Sequence, residues 1–446
     1  MSTATDNTNY RRPQDATSRA PRFFELRRRS ELLVLLLPLL VVIVVMACSP
    51  NYRPVAGVRP SPLGGDFVQD YVGGAIVLSP SRSQLYDQGY FRSVQHDAAV
   101  VGFEWSESSY YPPVYPPFYY LAVSPFASVS YDTAVMLWGI LSALALVATG
   151  WLWFRYFPEC RKRFAWIWIG AMLFAPTLYT FNIGHKSTFL LLILSATYLL
   201  LFHKRSMPAG MVFGLLLFKP HLALVIGAAM LWKRQWAFVA GAAVTASILM
   251  VVSLAIGPGL CLDFVNVCLG STDYVQTGGY QLTSAYSFWA FVKLLLPGAS
   301  SVQTGSIAIT ASLAVAAVMS LILRGRLDTS SHRFAMQFSA LVLAMVLIGP
   351  HFYFYDLTIV LIVVFLVVAT TDLNWQDSPA VLPARKALFF CTIGMLLLAG
   401  FFGNVAVMTA LQPGVIVMAT MIGLIAWLTR CPASQDPELS AQADAS

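Results

Sequence analysis

Apolar runs recur along the whole chain, from Leu32 to Leu428, divided by short polar connections that carry most of the Lys and Arg. Runs of this length predict helices, and their number predicts an all-α, polytopic membrane protein of about 12 transmembrane helices. The runs fall at Leu32–Ala47, Thr133–Phe154, Phe164–Phe181, a stretch ending at Leu201, Trp236–Ile256, Ile307–Leu323, Phe334–Gly349, Tyr353–Ala369, Ala387–Phe402 and Pro413–Leu428. Ala285–Leu296 is too short to span with assurance, and Gly257–Thr283 reads as a loop. No internal repeat is evident.

One pair of runs breaks the pattern. Met207–Phe218 and Leu222–Trp232 are about 11 residues each, roughly 16 Å as helix against a hydrocarbon core of about 30 Å. Basic residues flank both, at His203, Lys204 and Arg205 before and Lys233 and Arg234 after. The spacing therefore predicts a hairpin of two short helices whose apex, FKPH at Phe218–His221, stops inside the membrane.

Composition agrees with this and adds a topology. The 446 residues are 57% hydrophobic and 11% charged, which excludes an ordinary soluble domain. A net charge of +7 would suggest nucleic acid in a soluble protein, but here the cations sit in connections between apolar runs and mark the cytoplasmic side, so no nucleic-acid partner is expected. Residues 1–30 and 431–446 read as polar cytoplasmic tails around a membrane domain over 31–430, with both termini inside a multi-pass protein of the plasma (cell inner) membrane and a first external loop over 49–132. The VVMAC ending of the first run also has the shape of a lipoprotein-type signal at Cys48, though the long polar leader favours an uncleaved anchor. The six cysteines are scattered without metal spacing, and no metal site or cofactor is expected.

Sorting the polar residues by side shows where chemistry is to be sought. Asp66, Asp70, Tyr110, Tyr111, His185, Lys186, Lys219, His221, His351 and Asp356 all fall at or near the external ends of runs. An ionisable group at membrane depth costs about 2.5 to 3.5 kcal/mol, so Lys219 and His221 beside Pro220 call for water or an anionic partner. Lys186, one residue from a loop, reads as a side chain reaching to the interface. In the first loop, Phe67, Tyr71, Ala75 and Leu78 recur at helical spacing, as in a helix lying in the interface, with Asp66 at its start as N-cap, base, or both. Asp70 is a second candidate acid or a partner for Arg82 or Lys219, and spacing alone does not choose between the carboxylates. Cations and imidazoles in lipid can hold a phosphodiester headgroup, while an external carboxylate takes a proton from a hydroxyl.

The order of short motifs decides further. Asp66–Phe67, LYD at Leu85–Asp87, YYPP at Tyr110–Pro113, SPF at Ser124–Phe126, the turn at Gly184, FKPH, QLTSAYSFW at Gln281–Trp289 and GPHFYFYD at Gly349–Asp356 together resemble glycosyltransferase family 87. The resemblance covers roughly Asp66 to Asp356. It implies a GT-C-like fold with external juxtamembrane helices in the first loop, a polyprenyl-phosphate sugar as donor, a lipid or glycan as acceptor, and a catalytic acid matching Asp66. The chain departs from the family at His185–Ser187, where Gln and Asn are common, and at Gly349, where Ser is usual. The resulting expectation is an inverting hexosyltransferase, with mannose the first candidate sugar, working on the outer face. Asp66 is the expected base, Lys219 and His221 the phosphate contacts, and His185, His351, Tyr110, Tyr111 and Asp70 further substrate contacts. The alternative is a transporter or flippase for an anionic lipid-linked substrate, since broken helices and buried cations suit both.

Overall fold

The computed structural model describes residues 29–48, 64–106, 110–157, 164–270, 281–371 and 379–430, so the two tails and residues 49–63 of the first loop lie essentially outside the described residues. The described chain is helical almost throughout. Its one bridge between extended segments joins Ala285 to Tyr353. Tyr131–Tyr156, Trp236–Ile256, Ser301–Ile322 and Leu382–Thr409 are long and apolar enough to cross a membrane, and several shorter apolar helices accompany them. This is a membrane protein whose interior is built from the shorter elements.

The pattern of burial explains that division. In the helix His332–Ile348 every residue from Gln337 to Leu347 is buried, and the same holds from Asp356 through Val368, where a 3-10 turn leads into the helix Leu361–Thr370. A helix apolar on all sides belongs at the centre of a bundle. The long helices stand outside it, and Trp236–Ile256 and Ser301–Ile322 leave most of their length unburied, as suits helices that face lipid.

The short pair is a hairpin. Its first arm is the helix Ser206–Gly214 followed by a 3-10 turn, Leu215–Phe218, and its second is Pro220–Trp232. Pro220 has no N–H to donate and restricts Lys219 before it, so the chain breaks at Lys219 with an extended φ of -127°. The connection after Leu323 meets both the second arm's outer end and the helix Ser187–Phe202 that leads into the first: Lys233 Nζ donates to Leu323 O at 2.9 Å, and Thr329 Oγ1 to Leu201 O at 2.6 Å. The apex therefore points to the opposite end of the bundle, away from the basic residues Lys204, Arg205, Lys233, Arg234 and Arg324. Close contact fixes the first arm against Trp236–Ile256, because a Cβ added to Gly210 would lie 1.9 Å from Phe238 O and one added to Gly241 would lie 2.1 Å from Met207 O.

Three expectations need correction. The helix Phe67–Leu78 exists, but Val68, Asp70, Val72 and Ile76 are as buried as Phe67 and Tyr71, so it lies inside the protein and not along the interface. Gly257–Thr283 is no plain loop, since Pro258–Leu269 is helical. The run Phe164–Phe181 is interrupted: Phe164–Leu173 and Ala175–Asn182 are separate helices, the second opening with Pro176.

Gly210→Val should lower the unfolding temperature in detergent markedly, at a cost of about 2 kcal/mol or more, because the added atoms meet backbone that cannot yield. Gly305→Ala, with nothing within 4 Å of its added Cβ on the helix Ser301–Ile322, should be neutral or slightly stabilising. Equal thermal-shift results for the two would refute the close approach.

Candidate functional site

At the apex end lies a cavity of about 1080 Å3, lined by Asp66, Gln69, Tyr110, Tyr111, Tyr115, His185, Lys219, His221, His351, Tyr355 and Asp356 among others. The structure thus brings Asp66, Lys219, His221, His185, His351, Tyr110 and Tyr111 around one space. Asp70 is apart from them: it is fully buried behind the wall and does not line the cavity.

Asp66 owes its place to a glycine turn. Gly64 and Gly65 both have positive φ, +69° and +49°, and the turn nests against the Gly184 turn, itself at +60°. A Cβ on Gly184 would come within 2.8 Å of Gly64 O, and one on Gly65 within 3.1 Å of Ile183. Trp138 locks the assembly by donating Nε1–H to Gly184 O at 2.7 Å while its ring stacks on Phe67. Asp66 then precedes the helix Phe67–Leu78, yet its side chain makes no capping hydrogen bond. The capping role expected of it is absent, and among the described residues the carboxylate has no hydrogen-bond or ion-pair partner. Burial pushes its pKa up to about 6, opposed by the nearby Lys186 and Lys219 and supported by Asp356.

Facing it is a connected polar cluster. Lys219 Nζ donates to Asp356 Oδ1 at 2.9 Å and lies 3.1 Å from His185 Nε2. An ammonium only donates, so His185 Nε2 accepts and the ring carries its proton on Nδ1, which donates to Ser187 Oγ at 2.8 Å. Ser187 in turn reaches Asp356 Oδ1 at 3.4 Å, closing a ring of contacts, and the imidazole lies 3.8 Å over Tyr355. Burial and both lysines hold His185 well below the usual histidine range, consistent with this neutral form. His221 differs, since its Nε2 is buried without a hydrogen-bond partner among the described residues.

The second ion pair sits behind the wall. Lys186 is 1% exposed and meets neither interface nor water: its Nζ is 2.9 Å from Asp70 Oδ2 and donates to Tyr115 Oη at 3.0 Å. Asp70 thus pairs with Lys186, not with Arg82 or Lys219.

Two buried or nearly buried amides hold the tyrosine segment against these groups. Gln95 accepts from Tyr111 N at 3.2 Å and donates to Tyr111 O, while Gln69 donates to Pro112 O. Tyr86 Oη donates to Tyr115 O at 2.6 Å. Tyr110, farther out, donates to Gln88 Oε1 at 2.6 Å. Sequence reasoning placed Asp356 on this side without assigning it a role, and did not find Gln69, Tyr115, Tyr179 or Tyr355. For Asp356 the signal was present, as an acid opening an otherwise apolar run. The tyrosines give no such signal in a chain with 19 of them.

Helices of membrane-spanning length around an ionisable cavity at one end define a membrane protein with a polar reaction or binding chamber. The chain matches glycosyltransferase family 87 over residues 114–350 and belongs to that family, which makes it a glycosyltransferase. The match includes His185, Lys219 and His221, while Asp66, Tyr110, Tyr111, His351 and Asp356 lie outside it. No curated protein matches the chain.

The raised pKa of Asp66 has a measurable sign. An unfolded chain gives up this proton near 3.8 and the folded chain near 6, so between those values the folded state binds more protons and stability falls as pH rises. Asp66→Asn cannot ionise. It should raise the unfolding temperature in detergent at about pH 7.5, by on the order of 1 kcal/mol, and the gain should vanish near pH 4. A gain of equal size at both pH values would show that its source is not the charge.

Proposed function

We propose that the protein transfers a hexose, mannose being the first candidate, from a polyprenyl-phosphate donor to a lipid or glycan acceptor, with inversion. The observation that carries this reading is the single chamber shared by the Asp66 carboxylate, which makes no capping bond, and a hairpin apex that presents the Lys219 ammonium and the His221 imidazole, whose Nε2 is without a hydrogen-bond partner among the described residues. Asp66 takes the proton of the acceptor hydroxyl as its oxygen attacks the anomeric carbon. The bond from that carbon to the phosphate oxygen breaks, and polyprenyl phosphate leaves with the electron pair. Lys219 and the N-terminus of the helix Pro220–Trp232 favour the negative charge of the donor and of the leaving group.

A GT-C-like architecture of about a dozen spans is the form this reading takes. The chamber then opens on the outer face of the plasma membrane and both termini lie in the cytoplasm, which agrees with the basic residues collected at the other end of the hairpin. The lipid tail stays among the exposed apolar side chains beside the cavity, such as Leu224 and Val407. The reaction as drawn needs no metal, because fixed cations and helix dipoles supply the positive field. The family match supports glycosyl transfer alone; the donor, the sugar and the inversion are proposals that rest on the resemblance and on the placement of Asp66 opposite Lys219.

Purified protein supplied with radiolabelled polyprenyl-phosphate sugars tests the scheme. Asp66→Asn should abolish transfer and retain donor binding, and in the unaltered enzyme kcat/KM should fall about tenfold per pH unit below about 6, as the base takes up its proton. Transfer by Asp66→Asn at an undiminished rate would refute the assignment.

Lys219→Ala should raise the apparent donor KM tenfold or more with little change for the acceptor, since a charge-assisted contact is worth roughly 1.5 to 3 kcal/mol. His221→Ala should act in the same direction more weakly. Unchanged donor affinity in Lys219→Ala would remove the phosphate site from the scheme.

A further inference from the structure

Lys186 and Asp70 are fully buried, 2.9 Å apart, and neither lines the cavity. They nevertheless join the segments that form its wall. Asp70 lies one turn beyond Asp66 on the helix Phe67–Leu78, Lys186 follows His185 in the turn that receives Gly64 and Gly65, and Tyr115, which lines the cavity, accepts from Lys186. The ammonium also lies over the Tyr115 ring, 4.2 Å from its centre. A buried pair is a costly way to hold loops together, and a well-packed apolar pair would often do as well or better. What an apolar pair does not provide is a fixed positive charge beside an unpartnered carboxylate.

We infer that Lys186, clamped by Asp70 and Tyr115, is a positioning residue that keeps Asp66 ionised and aimed into the cavity. This rests on the reading of Asp66 as the base. The groups that act on that carboxylate come from each element around it. Lys186 and Lys219 favour its charged form, Asp356 opposes it and the Asp70 carboxylate, one turn along the helix, repels it, with the phenols of Tyr111, Tyr115, Tyr179 and Tyr355 nearby and the neutral imidazole of His185 on the same cavity wall. Of these cations Lys219 is already engaged by Asp356 at 2.9 Å and faces the cavity, where an anionic ligand would compete for it. Lys186 does not line the cavity and is held by Asp70 and Tyr115, so its field on Asp66 stays in place whatever the cavity holds.

The pair makes opposite demands on its two members, which gives the test. In Lys186→Met the acid limb of the kcat/KM profile should move up by about one pH unit, because the favourable charge is gone. In Asp70→Asn the limb should persist and move down, because Lys186 is no longer neutralised. Persistence would also show that the limb does not belong to Asp70. Where Lys186→Met fails to fold, Lys186→Met/Asp70→Leu removes the pair without leaving an orphan charge, and its limb too should lie above that of the unaltered enzyme. Limbs at the unaltered pH in these variants, with losses confined to kcat, would overturn the inference and leave the pair a structural clamp. That failure is distinct from failure of the base assignment, which shows as transfer by Asp66→Asn.

Discussion

An ionised group taken out of water costs several kcal/mol unless a partner accompanies it, and this constraint arranges the whole cavity end of the molecule. Lys219 brings Asp356, and Lys186 brings Asp70. The partners come from distant stretches: the apex of the hairpin, the start of a buried 3-10 turn, the Gly184 turn and the Phe67–Leu78 helix. None of these segments can bury its charge alone, so the walls of the cavity are coupled in folding. Asp66 is the exception, with two cations near but none in contact.

The helices were legible in the sequence wherever an apolar run ended at a proline, a glycine or a charge. Pro413–Leu428 was read with the bounds it has, and the break at Lys219 followed from Pro220 between two runs too short to span. The Phe67–Leu78 helix was misread because Phe67, Tyr71, Ala75 and Leu78 describe only one of its faces. Val68, Val72 and Ile76 form another, and the polar groups of Gln69 and Asp70 find their partners at Pro112 and Lys186, far along the chain.

The candidate site was legible by residue type and not by pairing. Ionisable groups at the outer ends of apolar runs are few, so naming Lys219, His221 and Asp66 required only the cost of placing them there. Lys219 and Asp356 are 137 residues apart, and nothing local announces that they meet. Lys186 looked like an interface lysine because its neighbours in sequence are a loop, whereas its neighbours in space are Asp70 and Tyr115.

The cavity volume of about 1080 Å3 is at the upper end for a small-molecule site. A space of that size has room for a donor head group and an acceptor hydroxyl together. Asp356, the other carboxylate on its wall, is held by Lys219 and Ser187 and is not free to attack a sugar. Both features suit the single displacement proposed above, in which the two substrates would meet in a ternary complex before any bond breaks.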